Sequence, residues 1–380
     1  MRKYAFTDCV DLVGSAVGKF EGTKKYVSTG ALDYDRIDFS QVEDVDYESK
    51  PSRANLSVNA GDILFAKMQG TKKTLVLDLK TQEYVYSTGF CAVRAKENIV
   101  NRRCLYHLIT GKDFLAQKDK NCSGATQRAI TNKGLEKIVV SIPKISEQKE
   151  IAKRLDLADG AVLKCRQILR KLDELARAWF VEMFGDPIEN PMGWDKSPLG
   201  KRCNIITGNT PPRADTENYG TFLEWIKSDN INTPDTYLTV AEEYLSPKGF
   251  EKCRYVESGS VLMTCIAGSI GCIGNVAVAD RRVAFNQQIN AIVPSNDETL
   301  YIFWLMQLSK PYIQSMINMA LKGILSKGQL SALEFPFPPL PRQTEFANFV
   351  RDMDKSKLAA KKCLEKAEYL KDALMQEYFG

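Results

Sequence analysis

The chain has 380 residues, 44% hydrophobic and 26% charged, with 52 Lys and Arg against 47 Asp and Glu for a net charge of +5. That length exceeds a single core and predicts two or more soluble globular domains; the apolar runs fall short of a membrane span, and Met1-Arg2-Lys3-Tyr4-Ala5 followed by Asp8 and Asp11 does not read as a signal peptide. Ten scattered cysteines without a Cys-x-x-Cys pair and one histidine offer little for a zinc site and predict reduced thiols in a cytoplasmic setting, while the mild basicity permits a polyanionic partner without requiring one.

Residues 1–143 form the first predicted unit. Ala60-Gly61-Asp62-Ile63-Leu64-Phe65-Ala66 and Phe90-Cys91-Ala92-Val93 read as strands after glycine turns. A helical pattern runs from Asn101 to Leu115 through Leu105, Leu108 and Ile109. Residues 144–185 then predict one long helix. Ile151, Leu155, Ala158, Val162, Cys165, Leu169, Leu172, Ala176, Trp179 and Met183 alternate spacings of four and three, an a/d seam that argues for a coiled coil. Ser146 suits the N-cap, Glu147 the positive end of the helix dipole and Gly185 the C′ stop. At 1.5 Å per residue such a helix runs on the order of 55 Å.

Asp186-Pro187 opens a polar linker through Asn190-Pro191-Met192-Gly193, and residues 186–338 form a second unit with the order of the first. Ser258-Gly259-Ser260-Val261-Leu262-Met263 corresponds to Ala60-Gly61-Asp62-Ile63-Leu64-Phe65, and Asn286-Gln287-Gln288-Ile289-Asn290-Ala291 to Ser87-Thr88-Gly89-Phe90-Cys91-Ala92. A helix from Thr299 to Gln314 (Ile302, Leu305, Met306, Ile313) answers the one after Asn101. Residues 339–380 repeat the long helix without a gap: at an offset of 195, Gln148 recurs as Gln343, Asp159 as Asp354, Glu182 as Glu377, and Phe184-Gly185 as Phe379-Gly380. This is an internal repeat.

Each seam needs a partner, because about ten apolar residues at ~1.5–3 kcal/mol apiece are too many to leave in water. The second seam keeps register through Phe346, Val350, Met353, Ala360, Leu364, Ala367, Leu374 and Tyr378, but Lys357 and Lys371 interrupt it. Two copies joined through a globular unit most simply pair antiparallel within one chain, with the flanking units related by a pseudo-two-fold axis; the rival is a coiled coil between two chains. The expected class is α+β, two related globular domains joined by two long antiparallel coiled-coil helices.

Catalytic signatures are missing from the sequence. There is no Walker loop, no Gly-x-Gly-x-x-Gly after a strand and no Gly-x-Ser-x-Gly elbow. His107 sits alone in an amphipathic pattern and reads as structural. Glu147-Gln148-Lys149 has the Glu-x-Lys spacing of a nuclease but opens a helix, and Asn190-Pro191-Met192 lacks the second proline and aromatic of an amino-methyltransferase motif.

What remains are polar and basic loops. In the first unit these carry Arg53, Lys67, Gln69, Lys72, Lys73, Thr126, Gln127 and Arg128. In the second they carry Thr210, Arg213, Lys227, Ser228, Asn230, Ser269, Gln287, Gln288, Lys322 and Lys327. Arg and Lys take guanine edges or phosphates, and Gln and Asn pair with adenine edges. Singly each is a weak signal; as two sets they suggest two half-sites, with Arg53, Lys72, Arg128, Arg213, Lys227 and Lys327 as the leading DNA contacts.

Several motifs extend this reading: Ile142-Pro143 followed by Ser146-Glu147-Gln148-Lys149-Glu150-Ile151-Ala152, Lys171-Leu172-Asp173-Glu174-Leu175, Glu182-Met183-Phe184-Gly185-Asp186-Pro187, Thr207-Gly208-Asn209-Thr210-Pro211, Trp225-Ile226-Lys227-Ser228, and Gly259-Ser260-Val261-Leu262-Met263 with Gly268-Ser269-Ile270-Gly271. Together they resemble the specificity (S) subunit of a type I restriction–modification system, over essentially the whole chain. The resemblance implies target-recognition domains at 1–143 and 186–338, each reading one half of a split asymmetric double-stranded DNA sequence. The helices at 144–185 and 339–380 would act as spacer and docking element for two methyltransferase (M) subunits, with restriction/translocase (R) subunits joining the larger assembly. It also implies that this chain is no enzyme and carries no cofactor, S-adenosylmethionine, ATP and Mg belonging to the partner subunits. The competing classes are a standalone methyltransferase or nuclease with a degenerate site, and a coiled-coil scaffold for protein partners.

Overall fold

The computed structural model describes residues 1–125, 127–317 and 323–380. The chain forms two compact units, one of Met1–Arg166 with Lys362–Gly380 and one of Gln167–Lys361. Both boundaries fall inside long helices, Ile145–Phe184 and Leu340–Phe379, of 40 residues each. Unit 1 therefore holds the beginning of the first long helix and the end of the second, and unit 2 the reverse. Among the described residues no helix is long and apolar enough to cross a membrane.

Unit 1 is built on two four-stranded sheets. One runs Val10–Val13, Phe90–Ala95, Ile63–Ala66, Thr74–Val76, all antiparallel. The other runs Glu43–Val45, Lys24–Val27, Val85–Ser87, Ala54–Leu56, with a parallel pair at its centre. Unit 2 repeats both orders: Cys203–Thr207, Ile289–Pro294, Ser260–Thr264, Val276–Ala279, and Tyr244–Leu245, Tyr219–Ile226, Val283–Phe285, Tyr255–Val256 with the same central parallel pair. Equivalent strands begin after equivalent glycines, Gly61 at φ +89 and Gly259 at φ +92, a conformation that side chains with a Cβ rarely adopt.

The continuous apolar runs follow from burial on both faces. Ile63 and Phe65 pack with Phe6, Leu105, Ile109 and Phe114 on the helical side, whereas Leu64 and Ala66 pack with Val27, Tyr86 and Phe90 on the other. Val261 and Met263 divide from Leu262 in the same way.

The single helices expected after Asn101 and at Thr299 are each broken in two. Arg102–Thr110 and Lys112–Lys120 are separated at Gly111, whose ψ of 151 ends one helix and starts the next. Thr299–Leu308 and Lys310–Ser315 meet at Ser309, where Pro311 follows as an early residue of the second helix. Ser146 lies inside the first long helix rather than capping it, because the helix starts at Ile145. Gly185, at φ +77, donates its N–H to the Val181 carbonyl at 2.8 Å and closes the helix as expected.

The two long helices pair antiparallel within each unit. In unit 1, Lys371 meets Asp159 at 2.5 Å, Arg166 meets Glu368 at 2.8 Å and Arg154 meets the Tyr378 hydroxyl at 3.2 Å. In unit 2, Lys357 meets Asp173 at 2.6 Å and the Phe349 ring lies 5.5 Å from that of Trp179. As one residue number rises its partner's falls. Ile151, Leu155, Val162 and Met183 are buried, as are Phe346, Val350 and Met353, while Leu169, Leu172, Trp179, Leu364 and Leu374 are half-buried. The lysines that interrupt the second seam are thus ion-paired to the facing helix. They interrupt the apolar run without leaving an unpaired charge; a polar seam residue with a matching partner on the facing helix selects register and direction.

The repeated glutamine is a bracket. Gln148, fully buried, accepts from the Asn101 N–H at 2.6 Å and donates to the carbonyls of Ile99 (2.9 Å) and Pro143 (3.0 Å). Gln343, equally buried, accepts from the Glu298 N–H at 3.0 Å and donates to Asp297 and to the Pro338 carbonyl, both at 2.8 Å. Each ties the start of a long helix to the loop leading into its unit's broken helix. Buried backbone groups require such partners.

Candidate nucleic-acid interface

In unit 1 the predicted residues converge where three loops meet. The Lys67 backbone accepts from the Ile130 N–H at 2.9 Å, and the Gln69 N–H donates to the Arg128 carbonyl at 2.9 Å. The Arg53 carbonyl accepts from the Thr88 N–H at 2.9 Å, and its guanidinium reaches the Gln127 side chain at 3.4 Å. Lys67 Nζ donates to the Thr88 carbonyl at 3.0 Å and Arg128 Nη2 to the Cys122 carbonyl at 3.1 Å. Arg53, Gln69, Gln127 and Arg128 are exposed. Lys73 is held by the carbonyls of Thr29 (2.8 Å) and Gly30 (3.3 Å). Lys72 departs from the group and lines a cavity of about 700 Å³ with Tyr34, Tyr106, Arg166 and Met375.

Beneath this surface lies Lys118, a residue the sequence reading passed over. It is 1% exposed, and its Nζ donates to the carbonyls of Met68 (2.8 Å) and Thr71 (3.0 Å). The adjacent Asp119 accepts from the Gly70 N–H at 3.1 Å. The loop bearing Gln69 is therefore braced from below. Such bracing reduces the ordering cost of any contact the loop makes.

In unit 2 the Gly208-Asn209-Thr210 loop lies tight against residues 285–288. A Cβ on Gly208 would sit 2.2 Å from the Asn286 carbonyl and 2.4 Å from that of Phe285, so only glycine fits. Thr210 donates to the Gln287 side chain, and Gln288 accepts from Ser228 at 3.4 Å and Asn286 at 3.2 Å. The Arg213 guanidinium lies against the edge-on pair of rings of Tyr219 and Trp225, 4.8 Å from each centroid. It also pairs with Glu243 at 2.7 Å, and Lys227 pairs with the other oxygen of the same carboxylate while lying 5.6 Å over Trp225. The hydrogen bond from Lys227, reinforced by that from Arg213, holds the Glu243 carboxyl below its usual range despite partial burial.

The remaining predicted residues are scattered. Asn230 is a correction: it is 8% exposed, its amide donates to Thr239 and the Val240 carbonyl, both at 3.1 Å, and its oxygen accepts from the Lys227 N–H, so it shapes the turn from inside. Ser269 is exposed ahead of the short turn Ile270–Cys272. Lys327 opens the helix Lys327–Ala332 behind the Ser326 cap and lines a shallow hollow beside Lys201. Thr126 and Lys322 lie outside the described residues. Glu243, like Lys118, escaped the sequence reading; it stands 30 residues from Arg213, and no local pattern joins them.

His107 is structural, as its setting in the sequence suggested. Its side chain is fully buried, 2.7 Å from Asp156 and 3.5 Å from Asp159, with Arg103 and Tyr106 beside it. Burial, the dominant influence, keeps the imidazole below its ordinary pKa in spite of the two carboxylates.

Two copies of one mixed fold, each carrying half of an antiparallel helix pair, recur in solved structures. The type I restriction–modification system S subunit from M. genitalium aligns with 100% of this chain and 96% of that one at a TM-score of 0.61 and 14% identity. A chain from a structure of a type I R-M system, solved for its complex assembly and conformational transition, aligns with 99% of this chain and 97% of that one at a TM-score of 0.55 and 20% identity. These likenesses define the fold.

The sequence carries the identification further. The profile of the type I restriction modification DNA specificity domain matches residues 16–172 and again 191–368, so the chain belongs to that family. The HindI specificity subunit of Haemophilus influenzae is 22% identical over 358 residues, 74% of this chain and 76% of that protein.

Proposed function

We propose that this chain is the DNA-sequence-recognition subunit of a type I restriction–modification complex and performs no chemistry itself. Each unit reads one half of a bipartite asymmetric site in double-stranded DNA. The two long helices serve as the spacer and as the docking element for two methyltransferase subunits, and restriction/translocase subunits complete the assembly. Methyl transfer and cleavage, with S-adenosylmethionine, ATP and Mg, belong to those partners.

The observation that carries this reading is one fold present twice with different side chains at equivalent loops. Loops between equivalent strands carry Gln69 in unit 1 and Ser269 in unit 2, Thr88 and Gln287, and Ser28 and Lys227. Unlike faces on like scaffolds suit unlike half-sites. Methylome sequencing of cells with and without this chain tests the reading. A bipartite adenine-methylation motif that vanishes with the chain is expected, and an unchanged methylome would overturn it. The purified chain with S-adenosylmethionine or Mg and DNA should show no turnover.

A further inference from the structure

We infer that Glu243 is a specificity-determining residue of unit 2: it occupies Arg213 and Lys227 in the free chain, and only DNA that compensates the displaced carboxylate can release them. The inference rests on the DNA-recognition reading above and adds the device by which unit 2 refuses wrong sequences.

The geometry is that of a counter-ion standing in for a ligand. One Glu243 oxygen faces Arg213 at 2.7 Å and the other faces Lys227. Strand Tyr219–Ile226 sets its position, because the Trp225 N–H donates to the Glu243 carbonyl at 3.0 Å. The Tyr219 and Trp225 rings flank the guanidinium, yet Arg213 keeps 55% of its side chain exposed and Glu243 keeps 34%. The arrangement is thus oriented, polar and open to solvent.

A phosphate arriving at Arg213 would only exchange one anionic acceptor for another, while bringing its own charge against the displaced carboxylate. Non-specific contact gains little there. A base pair that presents acceptors beside a donor gains more. In the major groove a G·C pair offers guanine O6 and N7 to an arginine and the cytosine amino group to a carboxylate. Arg213 and Glu243 together complement that edge, so the carboxylate rejects backbone-only binding and keeps a partner at the correct base pair.

The test uses the full chain in complex with its methyltransferase subunits, on a duplex carrying the methylated target and on an unrelated duplex of equal length. Glu243→Gln should tighten binding to the unrelated duplex and narrow the discrimination ratio by about tenfold, with target affinity changing less. Asp215→Asn is the control: Asp215 pairs with Lys248 and Lys252 on the same unit without touching Arg213, so its loss should raise affinity for both duplexes alike and leave the ratio intact. The inference falls if the wild type discriminates and Glu243→Gln discriminates equally, or if that variant weakens binding to both duplexes. A wild-type complex that does not discriminate at all overturns the DNA-recognition reading together with this one.

Discussion

The leading basic contacts proposed for the two units are held in different ways. In unit 1, Lys67, Lys73 and Arg128 rest on backbone carbonyls and Arg53 on the neutral Gln127 amide, and among the described residues none of them forms an ion pair. In unit 2, Arg213 and Lys227 share Glu243, and Lys248 and Lys252 share Asp215. A carbonyl orients a cation without neutralising it, whereas a carboxylate removes most of its field. On the proposed DNA-recognition reading, unit 1 keeps the charge that draws phosphates, and unit 2 exchanges affinity for selectivity. Beneath this difference the scaffolds are alike, down to the buried glutamine that anchors each long helix.

The largest expected effect tests the likeness. Gln148→Ala and Gln343→Ala each remove three hydrogen bonds at a buried helix start, and each should cost ~2–4 kcal/mol in denaturant unfolding. Unequal costs would show that the two brackets are not equivalent.

The next tests the difference. Arg213→Ala should cost ~1–3 kcal/mol on the target duplex and relax selectivity at the half-site read by unit 2. Arg128→Ala should weaken binding to all sequences alike and reduce the salt slope by about one. Exchanged outcomes would reverse the roles given to the two faces.

A smaller effect should be confined to unit 1, because the chain's one histidine lies there. Folding holds His107 below its ordinary pKa of 6.5, so the folded state binds fewer protons than the unfolded one as pH falls through that value. The stability of its neutral burial is complete above 6.5 and is lost below it, at up to ~1.4 kcal/mol per pH unit. Hydrogen exchange in Arg102–Thr110 at pH 7.5 and 5.5 should register the loss, and His107→Gln should remove it. An equal change at Thr299–Leu308 of unit 2 would assign the effect to other groups. Smallest of all, Lys112→Ala breaks an exposed pair with Asp372 and should change stability by less than ~1 kcal/mol.

The sequence by itself determined the repeat, the long helices and the strands after Gly61 and Gly259. Each is written in local spacing: alternating fours and threes, a glycine where φ is positive, an apolar run buried on two faces. Family membership was legible for the same reason, since the motifs are contiguous. Tertiary structure alone decided what the interrupting residues do. Lys357 and Lys371 read as flaws in a seam until Asp173 and Asp159 of the facing helix stood opposite them. Asn230 read as a contact until the fold turned it inward, and Glu243 read as nothing until it closed on Arg213 and Lys227. The physical reason is common to all three. Hydrophobic periodicity is a property of neighbours along the chain, but the partner of a charge or an amide is chosen in space, by elements that meet only after folding.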